Sequence, residues 1–175
     1  MSGELGRSTT KSLDHREEGM GRHILSLAVC LAVCFGAAGL GSLLTASSVN
    51  GWYAGLAKPQ WTPPNWLFGP VWSVLYALMG VAAWLVWRRG GAETRLALAL
   101  FAVQLALNVA WSGLFFGLRL PGVASAEILL LWLAIGATTV SFGRISTPAG
   151  LLMVPYFAWV GFAAILNLAI WRLNA

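Results

Sequence analysis

Asn50–Ala77 reads NGWYAGLAKPQWTPPNWLFGPVWSVLYA, and its character changes part-way along. Up to Leu67 it is stiffened by Pro59, Pro63 and Pro64 and crowded with Trp52, Tyr53, Trp61 and Trp66. From Phe68 it becomes an apolar run carrying Trp72 and Tyr76 one turn apart. The stretch holds four of the ten tryptophans, two of the three tyrosines and four of the seven prolines. Proline fixes φ, and a long loop in a compact domain is either functional or disordered. This one reads as the rigid wall and lid of a pocket suited to a large, flat, apolar ligand.

Outward from this segment the chain is nearly pure membrane helix. It is 58% hydrophobic and 10% charged, with mean hydropathy +0.74. A soluble domain carries about 25% charge, so lipid is the solvent here. In lipid every backbone amide must bond internally, which leaves helices or closed barrels. The apolar runs are continuous, not alternating, and that selects helices. The expected fold is an all-α bundle of five transmembrane helices over residues 24–46, 68–87, 96–118, 123–142 and 149–171. Three of the connections are short and demand up-and-down neighbours; the one from Ser47 to Leu67 is long. A polar segment over residues 1–22 reads as a disordered tail ahead of a domain at 23–175. Met20 is an alternative start, and the first apolar run is longer than the core of a signal peptide.

Lysine and arginine partition unequally. Arg7, Lys11, Arg16, Arg22, Arg88, Arg89, Arg95 and Arg144 fall on one side, against Lys58, Arg119 and Arg172 on the other. The positive-inside rule then predicts a cytoplasmic N-terminus, with the aromatic loop facing the opposite side. The multi-pass chain is expected in a bacterial cell membrane, helices favouring the inner over the outer one. The net charge of +5 is a topology signal, and no basic stripe points to nucleic acid.

Groups for conventional catalysis are scarce. Within the five spans Glu127 is the only acid, and the histidines, His15 and His23, lie outside the bundle or at its edge. No carboxylate pair, nucleophile–base set or metal-ligand cluster is spelled out. Glu127 reads either as a functional carboxyl, since charge in lipid is costly, or as an interfacial anchor. Cys30 and Cys34 share a helix face, poor geometry for a disulfide and suited to packing.

Helix faces carry more. Ala99, Ala102, Ala106, Ala110, Gly113 and Gly117 form a small-residue stripe on the third span, a mark of close helix contact, either with a second copy or within the chain. The opposite face presents Gln104, Asn108, Trp111 and Phe115. On the fifth span Tyr156, Trp159, Ala163, Leu166 and Ile170 align, the small Ala163 leaving room beside an indole. Three aromatic faces under an aromatic loop favour a cavity, mostly apolar with a few convergent polar groups.

Three blocks in order, WYAGLAKPQWTPPNWLFGPVWSVLYALMG (Trp52–Gly80), QLALNVAWSGLFFG (Gln104–Gly117) and VPYFAWVGFAAILNLAIWRLN (Val154–Asn174), resemble the TspO/MBR family. These are the tryptophan-rich sensory proteins and translocator proteins, also called peripheral benzodiazepine receptors. The resemblance covers about residues 23–174 and implies a five-helix membrane protein, usually a homodimer. It implies binding of porphyrins such as protoporphyrin IX, of weakly held haem, and of isoquinoline or benzodiazepine-type molecules. The implied ligand site is Tyr53, Pro63, Trp72, Tyr76, Asn108, Trp111, Trp159, Ala163 and Leu166. The implied roles are sensing, regulation or carriage of tetrapyrroles; the alternatives are light-dependent porphyrin breakdown, with Trp72 and Trp159 as the candidate participants, and small-molecule transport, which would rest on Glu127.

No cofactor is expected to be obligatory and no metal site is expected; porphyrin enters as ligand. Lys58 or Arg119 is expected to meet its propionates. The stripe Ala102, Ala106, Ala110, Gly113 and Gly117 is the expected dimer contact. Cholesterol is not expected to bind, because Leu168 stands where the animal pattern has tyrosine.

Overall fold

The computed structural model describes residues 2–175, with side chains from Met20 onward. The elements are α1 (Ser2–Val49), α2 (Trp52–Gly55), α3 (Asn65–Trp87), α4 (Ala92–Ser112), α5 (Pro121–Ile145) and α6 (Thr147–Leu173), and a π-helical turn over Gly113–Gly117 extends α4. Among the described residues, five helical stretches are long and apolar enough to cross a membrane: Met20–Val49, Asn65–Trp87, Ala92–Gly117, Pro121–Ile145 and Thr147–Leu173. The backbone is helical through the segment that the sequence sets apart as a tail, residues 1–22, from Ser2 on; its side chains up to residue 19 lie outside the described residues.

The spans start a few residues earlier than hydropathy alone predicts, because polar or proline-bearing first turns complete them. Asn65 follows an extended Pro64, Glu93 and Thr94 open α4, and Pro121 and Pro148 occupy the first turns of α5 and α6. Proline is tolerated there because first-turn amides have no helical acceptor. The α3–α4 turn needs its two glycines: Gly90 and Gly91 have φ of 67° and 95°, a region that stops a helix at little cost only for glycine.

The helices form a closed ring in the order α1, α3, α6, α5, α4 and back to α1. Its tightest seam is α5 against α6. A Cβ placed on Gly150 would lie 2.7 Å from the Gly143 Cα, so the two backbones touch. Gly80 receives Leu31 of α1 in the same way, and Trp132 stacks on Phe157 at 4.6 Å. Cys30 and Cys34 are buried, unbridged, in the core with Met79, Ala82, Phe101, Phe142 and Met153. Large apolar side chains such as Leu43, Val74, Leu96, Leu133 and Ile165 face outward. This is the surface that hydrocarbon requires.

Ala99, Ala102, Ala106 and Ala110 are exposed on the outside of α4, whereas Gln104, Leu105 and Asn108 are buried on its inside. The stripe divides at its end: Gly113 faces Leu44 of α1, and Gly117 is exposed.

Candidate functional site

A cavity of about 390 Å³ lies in the loop-side half of the bundle. Eight of the nine residues expected at the ligand site line it: Tyr53, Trp72, Tyr76, Asn108, Trp111, Trp159, Ala163 and Leu166. Pro63 does not; it is half-buried in the loop.

The aromatic walls are braced from behind. Trp72 packs on Tyr76 at 5.6 Å and meets Tyr156 edge-on at 6.1 Å. Trp111 stacks on Phe115 at 5.4 Å, while Phe68 and Phe162 flank Trp159 at 5.9 and 5.5 Å. Rings fixed this way present their faces without losing further rotamer freedom when a ligand arrives.

Two hydrogen-bonded chains hold the polar part of the wall. In the first, the Tyr76 hydroxyl donates to Asn108 Oδ1 at 2.6 Å and Asn108 Nδ2 donates to the Tyr156 hydroxyl at 3.0 Å. Tyr156 in turn donates to Gln104 Oε1 at 2.9 Å. In the second, Trp111 Nε1 donates to Asn167 Oδ1 at 3.0 Å, and Asn167 Nδ2 reaches Ser125 Oγ and the Pro121 carbonyl. The Trp159 indole N–H is buried and has no acceptor among the described residues. An orphan donor on a cavity wall is a place for a ligand acceptor.

The roof is α2 with the chain after it. Tyr53 is buried against Phe115 and Phe116. Burial holds its phenol above the ordinary tyrosine pKa, so it stays neutral across the physiological range. Asn174, at the end of α6, grips the roof: its Oδ1 accepts from the Ala57 N–H at 3.0 Å and its Nδ2 donates to the Ala57 carbonyl at 2.9 Å.

The two expected propionate contacts are placed elsewhere. Lys58 Nζ donates to the Ala54 and Leu56 carbonyls and lies 4.7 Å over the Tyr53 ring, so its charge locks the roof. Arg119 is exposed in the α4–α5 turn with φ of 58°. Neither lines the cavity.

Other lining residues escape the sequence reading. Ala38, Gly41, Ser42, Thr45 and Ala46 of α1 form a wall of small side chains. Their spacing of three and four was a usable signal. Phe116 joins Phe115 because the π-helical turn rotates α4 at its end; the Phe116 carbonyl accepts from Ser48 Oγ at 2.7 Å. Such a turn has no sequence signature and is frequent at functional sites. Gly69 and Ser73 continue the Trp72–Tyr76 face, and Asn167 lies one turn beyond Ala163. The exposed lining residues, Phe35, Ser42 and Ala46 on α1 and Asn65, Gly69 and Ser73 on α3, mark the open side.

The family model described as TspO/MBR family matches residues 28–172. The chain is 43% identical over 159 residues to a tryptophan-rich protein TspO of Chlorobaculum tepidum, covering 89% of this chain and 99% of that protein. It is 48% identical over 126 residues to the human translocator protein, covering 70% and 75%. Protein CrtK of Rhodobacter capsulatus is 43% identical over 151 residues, covering 84% and 91%.

Proposed function

The chain belongs to the TspO/MBR family, and from that premise we propose that it is a membrane receptor for flat tetrapyrroles, acting as their sensor or carrier. The observation that carries this reading is the cavity itself. Three indoles, Trp72, Trp111 and Trp159, and the phenol of Tyr76 border one space between α1, α3, α4 and α6. Each well-placed aromatic pair contributes about 0.5–1.5 kcal/mol beyond burial, so a planar macrocycle gains from several walls at once. The small residues of α1 leave the width for its plane. The open side between α1 and α3, at Ser42 and Ser73, leaves an edge of the macrocycle a way out of the cavity. Among the described residues no histidine lines the cavity, so a tetrapyrrole is held by stacking and hydrogen bonds, which favours a metal-free porphyrin or loosely held haem over axially ligated haem. The same walls and the free Trp159 N–H suit an isoquinoline carboxamide.

The reading includes a cytoplasmic N-terminus, from the lysine and arginine bias, and a homodimer through the exposed Ala102, Ala106 and Ala110. Its test is absorption titration of detergent-purified chain with protoporphyrin IX in the dark. A saturable shift at one porphyrin per chain supports it; a shift that grows linearly, as for partition into detergent, refutes it.

A second reading is favoured by the contact of Trp72 with both Tyr76 and Tyr156: light-dependent breakdown of bound porphyrin with Trp72 and Trp159 taking part. It expects new product bands on illumination that vanish in the Trp72→Phe/Trp159→Phe variant. Persistence of those bands in the variant would remove the tryptophans from the chemistry.

A further inference from the structure

We propose that Tyr76, Asn108, Tyr156 and Gln104 form a reversible hydrogen-bond relay, through which the cavity offers its ligand either an acceptor or a donor at the Tyr76 hydroxyl. This rests on the cavity being a ligand site and names the ligand chemistry it takes. The chain joins α3, α4 and α6 and runs one way. Tyr76 donates to Asn108 at 2.6 Å, Asn108 to Tyr156 at 3.0 Å, and Tyr156 to Gln104 at 2.9 Å. Tyr76 and Asn108 line the cavity, whereas Tyr156 and Gln104 do not. With its proton directed at Asn108, the Tyr76 oxygen keeps a lone pair that no donor among the described residues uses. In this polarity the hydroxyl is an acceptor for a ligand N–H.

The far end of the chain is unfinished. Gln104 is fully buried, and its Nε2 has no acceptor among the described residues. A buried amide nitrogen without a partner is costly and rare. Turning the Gln104 amide over exchanges an orphan Nε2 for an orphan Oε1 and lets Nε2 donate to the Tyr156 oxygen. Tyr156 then donates to Asn108, whose amide turns over in the same way, and Asn108 Nδ2 donates to Tyr76. The Tyr76 O–H is released toward the cavity as a donor. Each of the four groups both donates and accepts, so the reversed chain keeps every link. Terminal amide torsions are roughly two-fold, which opens both orientations to these side chains. Only hydroxyls and amides rotate; no covalent bond breaks and no proton changes owner. One end of the Gln104 amide is orphaned in either polarity, so the ligand's differential contact sets the choice. The second chain of the wall cannot reverse. It starts at the Trp111 indole, which only donates, and ends on the Pro121 carbonyl, which only accepts.

Flat tricyclic probes of similar size separate the two polarities. The ring N–H of carbazole only donates, the ring nitrogen of acridine only accepts, and anthracene does neither. The test is titration of the full-length purified chain with each, at mildly alkaline pH where acridine is neutral. The wild type is expected to bind carbazole and acridine at least about threefold more tightly than anthracene. Gln104→Met takes the acceptor from the Tyr156 O–H in the first polarity and orphans no donor of the chain in the second. It therefore holds Tyr76 as a donor: carbazole should weaken about tenfold, with acridine within about threefold of wild type. Adding Tyr156→Phe removes the hydroxyl that enforces this preference and should bring the carbazole-to-acridine ratio back toward the wild-type value. If Gln104→Met fails to fold, side-chain amide NMR of the wild type decides. Acridine, but not carbazole, should shift the Gln104 amide signals, although Gln104 does not line the cavity. An unchanged carbazole-to-acridine ratio in Gln104→Met, or a Gln104 amide unmoved by bound acridine, overturns the relay and leaves the cavity's function intact. Failure of all these probes and of protoporphyrin IX to bind overturns the proposed function and the relay with it.

Discussion

Small residues do opposite work at the two ends of this bundle. At the end away from the loop, Gly143 and Gly150 bring α5 and α6 into backbone contact, and a Cβ on Gly150 would also stand 3.3 Å from the Thr139 carbonyl. At the loop-side end, Ala38, Ser42, Thr45 and Ala46 of α1 and Gly69 of α3 border open space, and a Cβ on Gly69 would meet nothing within 4 Å. Helices in lipid lack a hydrophobic drive toward one another, so close approach and buried hydrogen bonds hold them together. The far end uses its small residues for approach. The loop-side end replaces approach with the Tyr76–Asn108–Tyr156–Gln104 chain and the aromatic roof, and so keeps a cavity without losing the fold. The comparison teaches that a glycine or alanine stripe in sequence is not in itself a packing signal; what stands opposite it decides.

Substitutions break the comparison in a definite order. Gly150→Ala carries the largest effect on the fold. The added methyl forces α5 and α6 apart, and overpacking of this kind costs about 1–3 kcal/mol; thermal unfolding in detergent should show a lowered midpoint, with Gly150→Leu failing to accumulate. Asn108→Ala comes next. It strips the Tyr76 hydroxyl of its acceptor and Tyr156 of a donor, and buried hydrogen bonds in membrane bundles contribute about 0.6 kcal/mol each, up to about 1.7. A modest loss of stability should accompany a clear loss of porphyrin affinity, read by the same melt and a binding titration. Ala163→Thr acts on the site and spares the fold: bulk and a hydroxyl enter beside Trp159, and affinity should fall roughly tenfold, about 1.4 kcal/mol, with the melting midpoint unchanged. Unchanged affinity and unchanged photochemistry together would remove Ala163 from the pocket. Gly69→Ala should do least, within about 0.5 kcal/mol of wild type, and a large destabilisation there would mean that α3 is packed where the cavity is drawn.

The sequence made the bundle legible for physical reasons. Continuous apolar runs in Met20–Val49 and Thr147–Leu173 have one reading in lipid. The Trp72–Tyr76 and Trp159–Ala163–Leu166 spacings place those residues on shared faces because a helix has a fixed pitch. What escaped depends on tertiary context. Pro63 belongs to a loop with no periodicity to fix where it points. Lys58 was expected to be free for a ligand, yet a lysine beside exposed helix-end carbonyls is captured by them, here Ala54 and Leu56. The α1 wall was readable as a stripe but not as the border of a cavity, since nothing in α1 says which neighbouring helix leaves space beside it. The π-helical turn that brings in Phe116 arises from how α4 ends against Ser48, which is 68 residues away in sequence.

The most direct measurement is quenching of tryptophan fluorescence by protoporphyrin IX in the purified chain, set against the Trp72→Phe/Trp111→Phe/Trp159→Phe variant. A porphyrin seated among the three indoles predicts saturable, strong quenching in the wild type, largely lost in the variant while circular dichroism stays helical. Equal quenching in both proteins would place the porphyrin on the other tryptophans, such as Trp61 or Trp66 of the loop, and would contradict the account.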